Sequence, residues 1–198
     1  MVDLSYLNDS TSLHSVPFKM NGSMLAPLIV EAEKQQAFKQ GARSSSRKES
    51  IEHSEFESMF IGILGEYAVA LTMGLELPDR TLFRGGDGGV DLYLKDGRSV
   101  EVKTTCTTDY LIFNKDNRDL KSDIAILVKL KTPCSGVLVG WISKEEYVKV
   151  RREHDFQYGT RWVVHMDDLH TISSLSVTSP SIDPAEYRGA DYGKDLRI

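Results

Sequence analysis

The stretch that most constrains this chain is Gly85–Thr105, GGDGGVDLYLKDGRSVEVKTT, which reads as two short strands around a tight turn. Val90, Leu92 and Leu94 alternate with Asp91, Tyr93 and Lys95; further on, Val100 and Val102 alternate with Glu101 and Lys103. A period of two is the strand signal, and it places Glu101 and Lys103 on one face. The turn decides whether Asp91 joins them. A two-residue Asp96-Gly97 loop would pair Asp91 with Val102 and send the carboxylates to opposite faces. A three-residue Lys95-Asp96-Gly97 loop, with Gly97 left-handed in a bulge, pairs Leu94 with Arg98 and Asp91 with Glu101. Only the second register puts Val90, Leu92, Val100 and Val102 on one face, so the hydrophobic pattern selects it.

Two carboxylates facing each other across a hairpin repel and weaken a bare sheet. Hard divalent cations take such oxygen ligands, and Mg²⁺ commonly combines one or two protein carboxylates with substrate phosphate. Lys103, two residues beyond Glu101, has the chemistry to orient a water or to offset charge on a phosphate. The competing reading is a solvated hairpin face carrying a salt bridge. Glu66 favours the site reading. It is the only charged residue between Met59 and Gly74, in MFIGILGEYAVALTMG, and on a helix it shares an apolar stripe with Ile63, Val69, Ala70 and Met73. A carboxylate there is costly to bury unless a cation compensates it.

These residues, LGEYAVA with its glutamate, then GGVDLYL, then VEVKTT, resemble the PD-(D/E)XK nuclease superfamily, whose fold is restriction-endonuclease-like. Asp91 is similar to its metal-binding aspartate, Glu101-Val102-Lys103 to its E-x-K element, and Glu66 to the acidic residue many members carry on the preceding helix. No proline precedes Asp91; Gly89-Val90 stands there instead. The resemblance implies Mg²⁺ or Mn²⁺, as one or two ions. Asp91, Glu101 and the Val102 carbonyl would hold the first, Glu66 a second ion or its water, and Lys103 would orient the attacking water. The activity implied is hydrolysis of phosphodiester bonds, with DNA favoured as substrate. The alternatives are RNA cleavage, or a non-catalytic nucleic-acid-binding or assembly module on the same fold.

The 198 residues suffice for one domain with a real core, and 40% hydrophobic with 27% charged residues is ordinary globular composition. A net charge of −5 argues against a large nucleic-acid footprint, but Lys34–Lys48 carries Lys34, Lys39, Arg43, Arg47 and Lys48 without an acid. Of these, Lys39, Arg43, Arg47 and Lys48 are the candidate phosphate contacts. Cys106 and Cys134 lack metal-ligand spacing, which together with the absence of a signal peptide points to a cytoplasmic setting. Met59–Met73 is too short, and interrupted by Glu66, to read as a membrane span. Nucleic acid is the expected partner, with no membrane, and a homodimer is allowed.

In order, 1–24 reads as an arm, 25–176 as the nuclease-like domain, and 177–198 as a tail rich in Pro, Ser, Asp and Gly. Leu25–Gly41 reads as a helix with Pro27 in its first turn, and a second helix runs from a cap at Ser54 to Met73, stopped by Gly74. Leu82–Arg84 is a candidate short strand. In Asp109–Asn117, the residues Tyr110, Ile112 and Asn114 are candidates to lie near substrate. Asp123–Leu130 and Val137–Ile142 read as buried strands. Ser143, with Glu146 in reciprocal position, starts a helix expected to reach His154. Arg161–Met166 reads as a last strand, and Asp167 as the cap of a short helix through Ser174. The expected architecture is α/β (α+β), a central mixed sheet of about five strands flanked by helices. There is no HExxH, P-loop, dinucleotide fingerprint or GxSxG, and His165 and His170 make a poor metal pair.

Overall fold

A computed structural model of the chain describes residues 15–41, 55–77, 90–114, 120–157 and 159–175. It is an α+β structure in which a five-stranded mixed sheet carries a separate three-stranded antiparallel sheet and three helices. The order in the larger sheet is β1 (Val16–Lys19), β6 (Ser135–Ser143), β5 (Ile124–Thr132), β3 (Ser99–Thr105) and β2 (Leu92–Tyr93). Only β3 and β5 run parallel. In the smaller sheet, β8 (Gly159–His165) lies between β4 (Tyr110–Asn114) and β7 (Arg152–Phe156).

Strand β5 shows why two cores form. Ile124, Ile126, Val128 and Leu130 point to one face, where they pack with Ile63, Leu64, Ala68 and Val69 of α2 (Glu55–Met73). Ala125 and Leu127 point to the other, where they meet Leu111 and Phe113 of β4, Val164 of β8, and Tyr147. A strand apolar on both faces must be covered on both, as the DIAILVKL run anticipates. Helix α1 (Leu25–Gly41) lies over α2 and contributes Leu28 and Ala32 to the first core.

The two long helices fall where the sequence places them, and Leu75 N–H returns to the Ala70 carbonyl at 2.9 Å to close α2 at Gly74. Ser54, the expected cap, lies outside the described residues, as do Leu82–Arg84, the Gly85–Gly89 cluster and the 177–198 tail. The described helix is longer than the Met59–Met73 stretch. By length and composition Phe56–Met73 would suit a membrane span, with mean hydropathy 1.3 over 18 residues; in this fold a third of it is buried, with Ala68–Ala70 inaccessible to solvent.

Three elements differ from the sequence reading. Val16–Lys19, expected within an arm, is an edge strand pairing Val16 with Leu138 and Lys19 with Ser135. Pro17 is tolerated because an edge strand leaves half its N–H groups unpaired. The helix from Ser143 has its reciprocal cap, Glu146 N–H to Ser143 Oγ at 3.2 Å and Ser143 N–H to Glu146 Oε2 at 3.4 Å. It stops early, however: α3 is Lys144–Val150, and Arg151 turns extended with ψ 144°. The polar run Arg152–Phe156 has no apolar helical stripe, and its backbone pairs along β8 instead. Finally, Arg161–His165 belongs to the smaller sheet, and two 3₁₀ turns replace the helix expected through Ser174. The first is capped by His165 Nδ1, which accepts from Asp167 N–H at 3.3 Å, so Asp167 is capped rather than capping.

Candidate active site on the Asp91–Lys103 hairpin

The hairpin has the three-residue loop. Leu92 pairs with Val100 and Tyr93 with Ser99, Leu94 N–H donates to Arg98 O at 2.9 Å, and Gly97 N–H donates to Leu94 O at 2.9 Å. Gly97 sits at φ +89°, the left-handed position that this loop requires. Asp96 stabilises the turn by accepting from Arg98 N–H at 3.1 Å and Arg98 Nε at 2.8 Å.

Continuing that register sets Asp91 against Glu101, as the alternation predicts, but the backbone leaves the ladder there. Leu94–Arg98 is a hydrogen-bonded pair, so a regular ladder would turn the Asp91 N–H away from β3. Instead it donates to Val100 O at 2.9 Å, a bulge-like kink. The kink carries the Asp91 carboxylate to the strand edge, where Oδ2 accepts the Val102 N–H at 2.7 Å. Asp91 thus supplies the rung that the two-residue β2 is too short to make. By the same parity the Val102 carbonyl points to that edge.

Glu101 and Lys103 lie on the opposite face from α2. Glu101 pairs in register with Ala125 and Lys103 with Leu127, both in the second core, whereas Val100 and Val102 pack beneath α2. Lys103 Nζ contacts Glu101 Oε1 and stands 5.3 Å over the centre of the Phe113 ring. The Glu101 side chain is only 13% exposed and that of Lys103 33%, so the pair is screened less than a free surface ion pair. At the start of β3, Asp123 Oδ2 accepts from Ser99 N–H and Oγ, both at 2.7 Å, fastening β3 to β5. Beyond its end, Lys129 Nζ meets Asp109 Oδ1 at 2.6 Å.

Glu66 is half-buried on α2, over the face that carries Val100, Val102 and Thr104. The helix comes down on β3 next to it: a Cβ at Gly65 would lie 1.8 Å from Thr104 Oγ1. The structure therefore brings Asp91 to Val102 and Glu101 to Lys103, and carries Glu66 on the helix that covers Val100 and Val102. Among the described residues no three His, Cys, Asp or Glu side chains are gathered to hold a metal ion. Arg43, Arg47 and Lys48 lie outside the described residues; Lys39 lies in α1 and its side chain is not described.

Phe113 was not singled out by sequence. Tyr110, Ile112 and Asn114 drew attention in that stretch, yet it is the alternate set, Leu111 and Phe113, that faces the larger sheet. Alternation in YLIFN defines two sets, but only the docking of β4 says which turns inward. His165 and His170 do not converge: His165 Nδ1 is 3.1 Å from Asp167 Oδ2, and His170 Nε2 is 2.8 Å from Glu146 Oε1.

Comparison with known protein families, curated proteins and solved structures finds no match to this chain. Its own residues carry the functional reading.

Proposed function

We propose that this chain is a metal-dependent nuclease of the PD-(D/E)XK type, with a restriction-endonuclease-like core, that hydrolyses phosphodiester bonds in DNA. One observation supports it most: a bulged hairpin sets the Asp91 carboxylate on the Val102 amide, with Glu101 and Lys103 paired on the next residues of the same strand.

The donor chemistry fits one hard cation. Asp91, Glu101 and the Val102 carbonyl are oxygen ligands of the kind Mg²⁺ and Mn²⁺ take. Glu66, half-buried on α2, is the candidate ligand of a second ion or its water. When bound, such a cation lowers the pKa of a water and stabilises the pentacovalent phosphate. The chain's own contribution is positional. Asp91 is held at the edge by the Val102 N–H. Lys103, held by Glu101 and the Phe113 ring, offers an ammonium that can orient the attacking water and offset charge on the phosphate. As folded, Glu101 and Lys103 neutralise each other, which removes the cost of leaving either alone at a partly covered position.

The test is cleavage of supercoiled, linear and single-stranded DNA and of RNA, with Mg²⁺, Mn²⁺ or EDTA. Asp91→Asn, Glu101→Gln and Lys103→Ala should each abolish a metal-dependent activity, while Glu66→Gln should cost about 10–100-fold, the scale of a supporting group's contribution. Equal loss in Glu66→Gln would show that α2 brings its carboxylate to the site. A second reading is favoured by the closed Glu101–Lys103 pair and, among the described residues, the lack of a gathered carboxylate trio: a nucleic-acid-binding module that does no chemistry. Binding without cleavage by wild type under every metal condition would establish that reading.

A further inference from the structure

The smaller sheet has an outer face that the hairpin site does not use. Its inner face, with Leu111, Phe113, Trp162 and Val164, closes the second core. The residues between them turn outward. In β7 the alternation is strict: Arg152, His154 and Phe156 share the outer face, while Glu153 and Asp155 fall on the other, where Asp155 Oδ1 accepts from Thr160 Oγ1 at 2.6 Å. From β8 come Arg161 and His165, from β4 Tyr110. No outward residue of the three strands is acidic.

The rings on this face touch in a continuous run. His165 stands edge-on to Tyr110 at 5.1 Å, Tyr110 stacks with His154 at 5.6 Å and 30°, and His154 meets Phe156 at 4.6 Å. His154 is exposed, the Arg152 side chain is 72% exposed, and Tyr110 and Phe156 are half-exposed. Two carboxylates reach the rim from the following turn, Asp167 at 3.1 Å from His165 Nδ1 and Asp168 at 3.5 Å from Arg152. The Arg152–Asp168 pair is long at 3.5 Å and its arginine is 72% exposed, so a phosphate can compete for the guanidinium.

We infer that this outer face binds single-stranded polynucleotide, with bases stacking on Tyr110, His154 and Phe156 and phosphates pairing with Arg152 and Arg161. Every base has a π-face, so a row of rings accepts any sequence, and arginine between rings supplies both charge and stacking. A duplex buries its base faces and would use only the cations. This surface stands apart from the nuclease reading: it needs no metal and none of Asp91, Glu101 or Lys103.

The experiment is fluorescence anisotropy with the full chain in EDTA, titrated against end-labelled oligothymidylate, oligouridylate and a hairpin duplex. Both single strands should bind more tightly than the duplex; the ratio of the two reports DNA or RNA preference. Tyr110→Ala and Phe156→Ala should each weaken single-strand binding by about fivefold or more, from the usual contribution of one stacked base. Tyr110→Leu and Phe156→Leu, which keep apolar bulk over the sheet, serve if the alanine variants melt early and should weaken binding in the same direction. Arg152→Gln should flatten the slope of log K against log salt by about 0.7, one phosphate contact on a single strand. Lys19→Ala, exposed on the edge strand β1 and in neither site, should bind as wild type. Preference for duplex, indifference to the ring variants, or loss of binding in Lys19→Ala would each overturn the inference. Absence of cleavage bears only on the nuclease reading.

Discussion

Gly65→Ala tests how the helix carrying Glu66 is seated on the strand carrying Glu101 and Lys103. In an exposed helix this substitution stabilises by about 1 kcal/mol, because alanine loses less backbone entropy than glycine. Here the added Cβ would lie 1.8 Å from Thr104 Oγ1, 2.9 Å from Thr104 Cβ and 3.0 Å from Thr104 Cγ2. Rotating χ1 of Thr104 moves Oγ1 and Cγ2 but not Cβ, so backbone must separate from backbone. Overpacking of that kind costs about 1–3 kcal/mol, and so short a contact belongs at the upper end. The net expectation is a loss of about 2 kcal/mol. With a urea m-value of about 2 kcal/mol/M, the unfolding midpoint should fall by about 1 M. Adding Thr104→Ala removes Oγ1 and Cγ2, the closest and third-closest atoms, and should recover about 1 kcal/mol, a coupling expected only for residues in contact. A Gly65→Ala protein as stable as wild type, or more so, would refute the close approach and with it the seating of α2 over Val102 and Thr104.

Gly97→Ala should destabilise by about 1–2 kcal/mol in denaturant titration through its left-handed backbone alone, since a Cβ there meets nothing within 4 Å. Gly97→Asn should lose less, asparagine tolerating that conformation better. Thr104 Oγ1 is buried without a hydrogen-bond partner, so Thr104→Val should raise stability by about 1 kcal/mol in the same titration. The hydrogen bonds from Ser99 hold the Asp123 carboxyl below its ordinary value of 3.8, and those from His170 and Ser143 hold Glu146 below 4.5. Their stabilisation is therefore complete above those values and is lost as pH falls below them. Asp123→Asn should accordingly flatten the fall in melting temperature on acidification below about pH 4, where a steepened fall would contradict the assignment.

Period and turn chemistry determined a good deal of this protein. Helix α1 matches its expected bounds because Pro27 opens it and Gly41 follows its last full turn. The hairpin register follows from Leu92, Val100 and Val102 needing one face, and Gly97 supplies the left-handed residue the loop demands. The Ser143–Glu146 cap was legible because a reciprocal cap is local, formed by groups three residues apart. In each case the decisive contacts lie within one element or across one turn, so sequence spacing specifies them.

Contacts between distant elements were decided only by the folded chain. Nothing in VPFK announces an edge strand; it becomes one because β6 offers unpaired backbone groups. RREHDF follows a well-capped helix with polar residues that suit helix or strand alike, and pairing with β8 settles the choice. Charge and order along the chain say nothing about which face of a sheet a helix covers, so only the folded chain seats α2, which carries Glu66, over Val100 and Val102. Alternation made Glu101 and Val102 point apart; the burial of Val102 under α2 then sent Glu101 and Lys103 to the far side, over Phe113. The sequence could assign each residue to a face of its own strand, but which faces meet is a property of packing, set by apolar surface contributed from several elements at once.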